Sequence, residues 1–364
     1  MKNLCFLCFC TGDKGGVNRI VASLCNELSN NKKYNVHILS ICSEEPILAY
    51  EVNENITVQS IGAKSSWRLR RTIVYSFAKI LKYFNENHID ITFMIGHYTP
   101  PIVFLTKLFA KCKFVFCDHG ALENQLDDKK ATIFRKMASK MSDKVIVLTK
   151  RSKEAYKKYF GLDDKKVEYI YNFLDNSMLK FSKEYNCKSK KLLTVGRASP
   201  EKGYDMLIDI AKEILNNHTD WEWHVYGDGS ELSSLKIKAQ TAGLQGKLVF
   251  KGGGYNIYEI YKEYSIFVLT SYREGLPLVL LEAKANGLPI VSFDCVTGPS
   301  EIIRDGIDGY LIECYNKQQM IAKLLELIEN VSLRVSLSAC SKENLADFDK
   351  DMIVSKWENL IDNL

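Results

Sequence analysis

The order of the local signals constrains this chain more than any other feature. Short apolar runs of strand length alternate with longer amphipathic stretches, in two successive rounds. Residues 4–10 read as a buried strand, followed by a Gly-rich turn and a helix over 17–29. Runs at 36–41, 90–95, 113–117 and 144–148 read as further strands with helical patterns between them. A second round opens at 191–195 and continues with strands at 221–226, 248–251, 266–269 and 289–293. Helical segments at 204–216, 231–242, 257–264 and 278–286 separate them. Such alternation builds parallel sheets covered on both faces. We expect an α/β chain of two doubly wound, Rossmann-like domains, joined through the polar stretch 176–190. A ligand is expected in their facing crevice, at the carboxyl ends of the strands.

Composition excludes several classes. With 46% apolar residues, 26% charged residues and only seven prolines in 364, the chain can bury large cores and is neither disordered nor collagenous. No apolar run approaches the roughly 18–20 residues that cross a bilayer, and 4–10 is too short for a secretory signal. The eleven cysteines lie mostly inside apolar runs without a paired framework, which points to a reducing, cytoplasmic compartment. Cys5, Cys8 and Cys10 are not expected to hold a metal, since on a strand Cys5 and Cys8 face opposite sides. The net charge of +5 is unevenly spread. Residues 1–180 hold 28 Lys and Arg against 18 Asp and Glu, whereas 181–364 hold 21 against 26. The first half is therefore expected to meet something anionic, such as a phospholipid surface, a phosphorylated acceptor or nucleic acid. Its cations are dispersed and carry no helix-turn-helix, RNA-recognition or zinc signature, so no nucleic-acid partner is expected.

Five segments carry chemistry. Thr11-Gly12-Asp13-Lys14-Gly15-Gly16-Val17 joins the first strand to the first helix and can present backbone amides to an anion, or serve only as a tight turn. Residues 195–203 place Arg197 and Lys202 five apart after a strand, where a fork and a mobile point charge can close on a diphosphate. A turn around Gly227 and one around Gly253 and Tyr255 leave backbone open to a nucleotide, or are structural. Glu274-Gly275-Leu276-Pro277-Leu278 leads into a helix carrying Glu282, with Pro277 expected in its first turn. A carboxylate among Leu278, Leu280 and Leu281 needs a partner, and a ribose diol would serve. A glycosidase pair would also use two carboxylates, but no hydrolase architecture accompanies these. His119, in Cys117-Asp118-His119-Gly120 after a strand, can bind a sugar hydroxyl, act as acid or base, or satisfy a loop carbonyl.

Taken together these segments resemble glycosyltransferase family 4, the retaining nucleotide-sugar transferases of GT-B fold, through most of the chain. The likeness is most specific over 193–311, where 195–203, 225–229, 271–283 and 297–303 follow the family's order, with Glu274 and Glu282 forming its Glu-x7-Glu pair. In the segment Asn172-Phe173-Leu174-Asp175 the usual glycine is replaced by Phe173. The stretch 292–303 looks like bacterial enzymes of surface-polysaccharide synthesis: capsule, O-antigen or lipopolysaccharide. The resemblance implies a GT-B fold of two Rossmann-like domains facing a central cleft, 1–175 on the acceptor side and 176–345 for the nucleotide-sugar. It also implies that 346–364, a helix, crosses back to the first domain.

Roles follow from the same resemblance. Arg197 and Lys202 bind the donor diphosphate and stabilise it as it leaves, and Glu282 accepts the ribose hydroxyls. Glu274 holds the transferred sugar together with amides of Gly275, Leu276, Pro277 and Leu278 (the proline contributing only its chain position). His119 contacts that sugar, and Gly15 and Gly16 close over the phosphates; Gly227, Gly253 and Tyr255 stay candidates for the nucleotide site from their own turns. No metal and no cofactor are expected. The donor is a UDP-sugar, with a GDP-mannose-type donor as the alternative. The acceptor is a saccharide or lipid-linked saccharide. A relative that epimerises or hydrolyses a nucleotide-sugar is the competing enzyme class. Asp347 and Asp349 read as helix-capping acids. Finally, a basic helix running from Trp67 through Arg68, Arg70 and Arg71 to Tyr83 either rests on anionic lipid at the inner face of the plasma membrane or is solvated, with its apolar stripe buried.

Overall fold

Seven strands pair in parallel in the first sheet: β1 (Lys2–Cys8), β2 (Tyr34–Ser40), β3 (Thr57–Ser60), β4 (Ile91–Ile95), β5 (Lys113–Asp118), β6 (Lys144–Val147) and β7 (Val167–Tyr169). Their order across the sheet is β3-β2-β1-β4-β5-β6-β7. Connecting helices are α1 (Gly16–Ser29), α2 (Leu69–Glu86), α3 (Thr99–Phe109), α4 (Lys129–Met141) and α5 (Lys150–Phe160). The second sheet takes β8 (Lys191–Val195), β9 (Glu222–Tyr226), β10 (Leu248–Gly252), β11 (Ile266–Leu269), β12 (Ile290–Phe293) and β13 (Gly309–Ile312), in the order β10-β9-β8-β11-β12-β13. Its helices are α6 (Tyr204–Asn217), α7 (Leu232–Thr241), α8 (Ile257–Ile260), α9 (Leu278–Ala285), α10 (Pro299–Ile302), α11 (Lys317–Glu329) and α12 (Val331–Cys340), and the chain ends on α13 (Lys350–Asp362). This computed structural model describes residues 1–42, 45–175, 178, 180 and 184–364. Part of the polar stretch expected at 176–190 therefore lies outside the described residues.

The chain divides into two units, Met1–Phe173 with Asp351–Leu364 (unit 1) and Leu174–Lys350 (unit 2). Each has its own core: Leu7, Leu39, Phe114 and Phe116 under α2–α5 in unit 1, and Leu192, Trp223, Val268 and Phe293 under α6, α7 and α11 in unit 2. The continuous apolar runs of β1, β4, β5 and β11 are what strands buried on both faces require. Three strands were not expected from the pattern, β3, β7 and β13, and each is the last strand at an edge of its sheet. The helix expected over 257–264 is instead one turn of α8, capped by the Asn256 side chain, followed by a 3-10 turn over Tyr261–Glu263.

The terminal helix belongs to unit 1, where Ile353, Trp357, Leu360 and Ile361 are buried. Trp357 packs edge-on against Phe93 of β4, with ring centroids 5.7 Å apart. The Lys2 ammonium donates to the Ile361 carbonyl at 2.6 Å, and Tyr34 Oη donates to the Asp362 carboxylate at 3.0 Å. Asp347 lies in a 3-10 turn (Leu345–Phe348), and Asp349 ends it, just before α13. Among the described residues no helix is long and apolar enough to cross a membrane. Truncating a buried tryptophan removes a large packed surface. Trp357→Ala is thus expected to destabilise unit 1 by about 3–5 kcal/mol and Trp357→Phe by less, read by urea denaturation.

Candidate active site

Where strand order reverses in a parallel sheet, the helices on either side leave for opposite faces and a crevice opens at the carboxyl ends. In unit 2 the reversal lies between β8 and β11. The loops leaving these two strands carry Lys202 and Glu274, and they are fastened together. Tyr272 N–H donates to the Glu201 carbonyl at 2.8 Å, and Thr270 Oγ1 donates to the Lys202 carbonyl at 3.0 Å. Across that seam Lys202 Nζ lies 2.6 Å from Glu274 Oε1, in a pair that is mostly shielded from solvent. The same carboxylate oxygen accepts from Ser271 Oγ at 2.6 Å, and the Glu274 carbonyl accepts from Thr297 Oγ1 at 2.7 Å. Gly298, at φ +100°, packs so closely that a Cβ would stand 2.7 Å from the Gly275 carbonyl oxygen. Glu274 is consequently held from three loops, which fixes its position before any ligand arrives.

Pro277 caps α9 instead of occupying its first turn, and no side chain caps this helix; in its first turn Leu280 N–H donates to the Pro277 carbonyl at 3.0 Å. Glu282, buried within α9, accepts from Tyr261 Oη at 2.6 Å. The partner expected of this carboxylate is thus already partly supplied by the protein. Arg197 is exposed on the loop after β8. That loop is knitted to the next: Gly196 N–H donates to the Tyr226 carbonyl and Ala198 N–H to the Asp228 carbonyl, both at 2.9 Å. At Gly227, φ is +137° and a Cβ would meet the Gly196 carbonyl oxygen at 1.9 Å, so backbone packing alone demands glycine there. Asp228 Oδ1 in turn accepts from Gly253 N–H at 2.8 Å. Tyr255 is exposed, with its ring edge-on to Tyr226 at 5.1 Å.

In unit 1 the corresponding reversal falls between β1 and β4. The glycine loop after β1 is tied down, with Gly15 N–H donating to Tyr50 Oη at 3.1 Å and Thr11 Oγ1 to the Ile47 carbonyl at 2.6 Å. Gly15 caps α1 and Gly16 is its first residue. His119 follows β5, in a turn built on the buried Asp118. That carboxylate receives Arg135 Nε at 2.7 Å, Tyr156 Oη at 2.6 Å and Gly120 N–H at 3.0 Å. Burial pushes the Asp118 carboxyl up, but the Arg135 guanidinium and these donors outweigh it and hold it below the ordinary carboxylate range. Burial drives His119 down to about 4, against a weaker opposing pull from Asp118. The ring is therefore neutral at physiological pH, a hydrogen-bonding group and not a proton donor. His119 Nδ1 and Arg135 Nη1 are both buried without a hydrogen bond.

Comparison with known proteins decides the family. Residues 14–177 match the family described as Glycosyltransferase Family 4, and residues 176–344 match Glycosyl transferases group 1. The amylovoran biosynthesis glycosyltransferase AmsD of Erwinia amylovora is 31% identical over 96% of both chains. The chain belongs to glycosyltransferase family 4. A Campylobacter jejuni α-1,4-N-acetyl-D-galactosaminyltransferase, named for a diNAcBac-PP-undecaprenol-linked substrate, is 26% identical over 96% of both chains. Among solved structures, HepE of Anabaena in complex with UDP superposes with a TM-score of 0.80 over all of both chains at 17% identity. Sucrose-phosphate synthase from Thermosynechococcus elongatus does so at 0.85, covering 100% of this chain and 99% of that one at 16% identity. These likenesses show the GT-B fold.

Within this family 4 glycosyltransferase, Lys202 and Glu274 meet directly. Gly227 and Gly253 are joined through Asp228, and Gly275 and Pro277 lie under Gly298. His119, Gly15 and Gly16 belong to unit 1. The partners of these residues escaped the sequence: Arg135, Tyr156, Tyr261, Ser271 and Thr297. For Arg135 there was a signal, because it falls on the buried stripe of α4 with Ala131 and Ala138, where an unpaired charge is not tolerated. Two outcomes follow. Arg135→Met, which strands a buried carboxylate, should cost about 3–5 kcal/mol in chemical denaturation. Because unfolded His119 takes up a proton near 6.5 and the folded residue only near 4, acid should destabilise the protein through that window. The slope of stability against pH between 6.5 and 4 should be shallower in His119→Asn.

Proposed function

We propose that this glycosyltransferase serves bacterial surface-polysaccharide synthesis. In this reading it moves a hexose or N-acetylhexosamine from a UDP-linked sugar to a saccharide or lipid-linked saccharide, with retention at the anomeric carbon. The observation that carries the reading is the Lys202–Glu274 pair across the β8/β11 reversal, a cation and a carboxylate held where the fold receives its ligand. The relatives support the substrate classes. AmsD is named for amylovoran biosynthesis, the Campylobacter enzyme for an undecaprenol-diphosphate-linked saccharide, and an Escherichia coli relative, 29% identical over 61% of both chains, for UDP-galactose.

In this mechanism the bond between the anomeric carbon and the diphosphate oxygen breaks first, and negative charge gathers on the departing diphosphate. Lys202 has three N–H donors, so it can keep Glu274 with one while another meets a phosphate oxygen. Arg197 adds a fork from the exposed side of the same loop. These cations and the amides at the start of α9 supply the positive field, and no metal ion is required. An acceptor hydroxyl then attacks from the face the diphosphate leaves and passes its proton to that diphosphate. Glu282, shared with Tyr261, accepts the ribose hydroxyls, while Glu274 and His119 hold sugar hydroxyls. We place the enzyme in the cytoplasm, peripheral on the inner face of the plasma membrane, in keeping with eleven free cysteines and lipid-linked substrates in its relatives' names.

The test is binding and transfer with a panel of UDP- and GDP-sugars, with and without chelator. One UDP-sugar is expected to bind, indifferent to chelator, and to lose affinity by about tenfold or more in Glu282→Ala. Lys202→Met should lower turnover by roughly 100–1,000-fold, the scale of removing one transition-state charge stabiliser. A donor consumed without any saccharide product would favour the epimerase or hydrolase alternative. Binding that ignores Glu282 would overturn the site.

A further inference from the structure

Unit 1 exposes apolar side chains where a solvated helix would not. On α3, Phe104, Leu105, Leu108 and Phe109 are between 39% and 66% exposed, and their spacing of one and four residues puts them on a single outward face. The opposite face of α3 (Ile102, Val103, Thr106) is buried against the sheet, so the helix is anchored while the outer face is left bare. Isolated apolar residues on a surface are ordinary, but a contiguous set on one helix is not. The set continues onto both neighbours of α3. Phe109 meets Phe77 of α2 edge-on at 5.7 Å, Val74 of α2 and Ile133 of α4 are exposed, and Tyr98, which caps α3, packs on Phe134 of α4 at 6.2 Å.

Charge identifies what covers this face. Helices α2, α3 and α4 together carry ten Lys and Arg and a single carboxylate, Glu86, itself 3.7 Å from Lys82. Of the ten, only Arg135 is buried in an ion pair, and Lys107 reaches Asp143 at 3.0 Å. Asp128 is taken up in capping α4. Lys130 lies over the rings of Tyr98 and Phe134, at 5.6 and 5.7 Å. An apolar strip flanked by cations fits a bilayer whose headgroups are anionic, because each Lys or Arg near the surface adds attraction while the apolar residues enter the acyl boundary. A protein partner of ordinary composition would have to bring a matching acidic rim. In α2, the basic helix that the sequence offered either for this role or as a solvated helix with its apolar stripe buried, Ile80, Tyr83 and Phe84 are buried in the core, and Arg71 stacks on Trp67 at 4.1 Å.

We propose that the outer face of α3, flanked by α2 and α4, docks this glycosyltransferase on an anionic lipid bilayer. The inference rests on the proposed function only for which membrane is met, and it sharpens that reading by naming the surface. The test is co-sedimentation of the whole protein with vesicles of phosphatidylcholine alone or with 30% phosphatidylglycerol, a composition of about three anionic lipids in ten. Wild type should bind the anionic vesicles and be released by salt, whereas Phe104→Ser with Leu108→Ser should bind roughly tenfold or more weakly. A Lys129→Gln, Lys130→Gln, Lys136→Gln variant should lose affinity and salt dependence together. Nucleotide-sugar binding, unchanged in both variants, reports that they fold. Equal binding to both vesicle types, or no binding by wild type, overturns the proposal. So does a wild-type dimer that the α3 variant turns into a monomer without any vesicle binding. Vesicle binding that stands while no sugar is transferred to any acceptor would instead sink the functional reading and leave the docking surface intact.

Discussion

Between β8 and β11 the chain changes direction across its sheet, and the placing of Lys202 and Glu274 depends on how that break is closed. Reversal forces two loops apart at the carboxyl ends, and an open seam there would leave backbone polar groups without partners. The protein closes it with polar chemistry: two loop-to-loop hydrogen bonds and the Lys202–Glu274 pair. Apolar side chains could have filled the same gap, and a largely buried ion pair is weak evidence for stability. What the pair provides is a charge of each sign whose position is set beforehand by Ser271, Thr297 and the close approach of Gly298. Electrostatic catalysis needs such fixed groups, since reorganising them during reaction would consume the stabilisation they give.

Unit 1 uses the same device one layer deeper. Asp118 ends β5 inside the core, where a lone carboxylate would be too costly to ionise, and Arg135 and Tyr156 reach it from two different helices. The result is a rigid turn that presents His119 as a neutral imidazole. The carboxylate sets the backbone through Gly120 N–H, and burial sets the protonation state of the ring. The histidine is the residue a reader notices, but its geometry is decided by an arginine sixteen positions later in the chain.

That division explains what could be read from the sequence. Central strands announce themselves because both faces are buried and the run is continuously apolar, as in Phe-Val-Phe-Cys of β5 or Ile-Phe-Val-Leu of β11. The three strands missed are edges, where one flank has no neighbour. Thr-Val-Gln-Ser of β3 is half exposed, β7 has three residues, and β13 opens on a glycine. Local motifs likewise single out Glu274, Glu282, Arg197, Lys202 and His119 as candidates, because their immediate neighbours in sequence are distinctive. Their partners are not local: Lys202 and Glu274 meet across 72 positions and Tyr261 and Glu282 across 21, and nothing in either segment encodes the meeting. Gly227 shows the converse limit, since its glycine invites a ligand reading while the structure requires it for packing against Gly196.

The charge asymmetry of the chain also changes meaning once it is placed on the fold. The first 180 residues carry a surplus of ten positive charges, and α2, α3 and α4 alone hold ten Lys and Arg against one carboxylate. The surplus is therefore concentrated on three consecutive helices, and α3, the middle one, is also the one that leaves its apolar face uncovered. Neither property would serve alone. Cations in water are screened within about 8–10 Å at physiological salt, and a bare apolar strip promotes self-association. Joined on one face they select a surface that is both charged and oily. Mutual repulsion among the lysines keeps two copies of the strip apart, whereas anionic lipid relieves that repulsion and covers the strip at once.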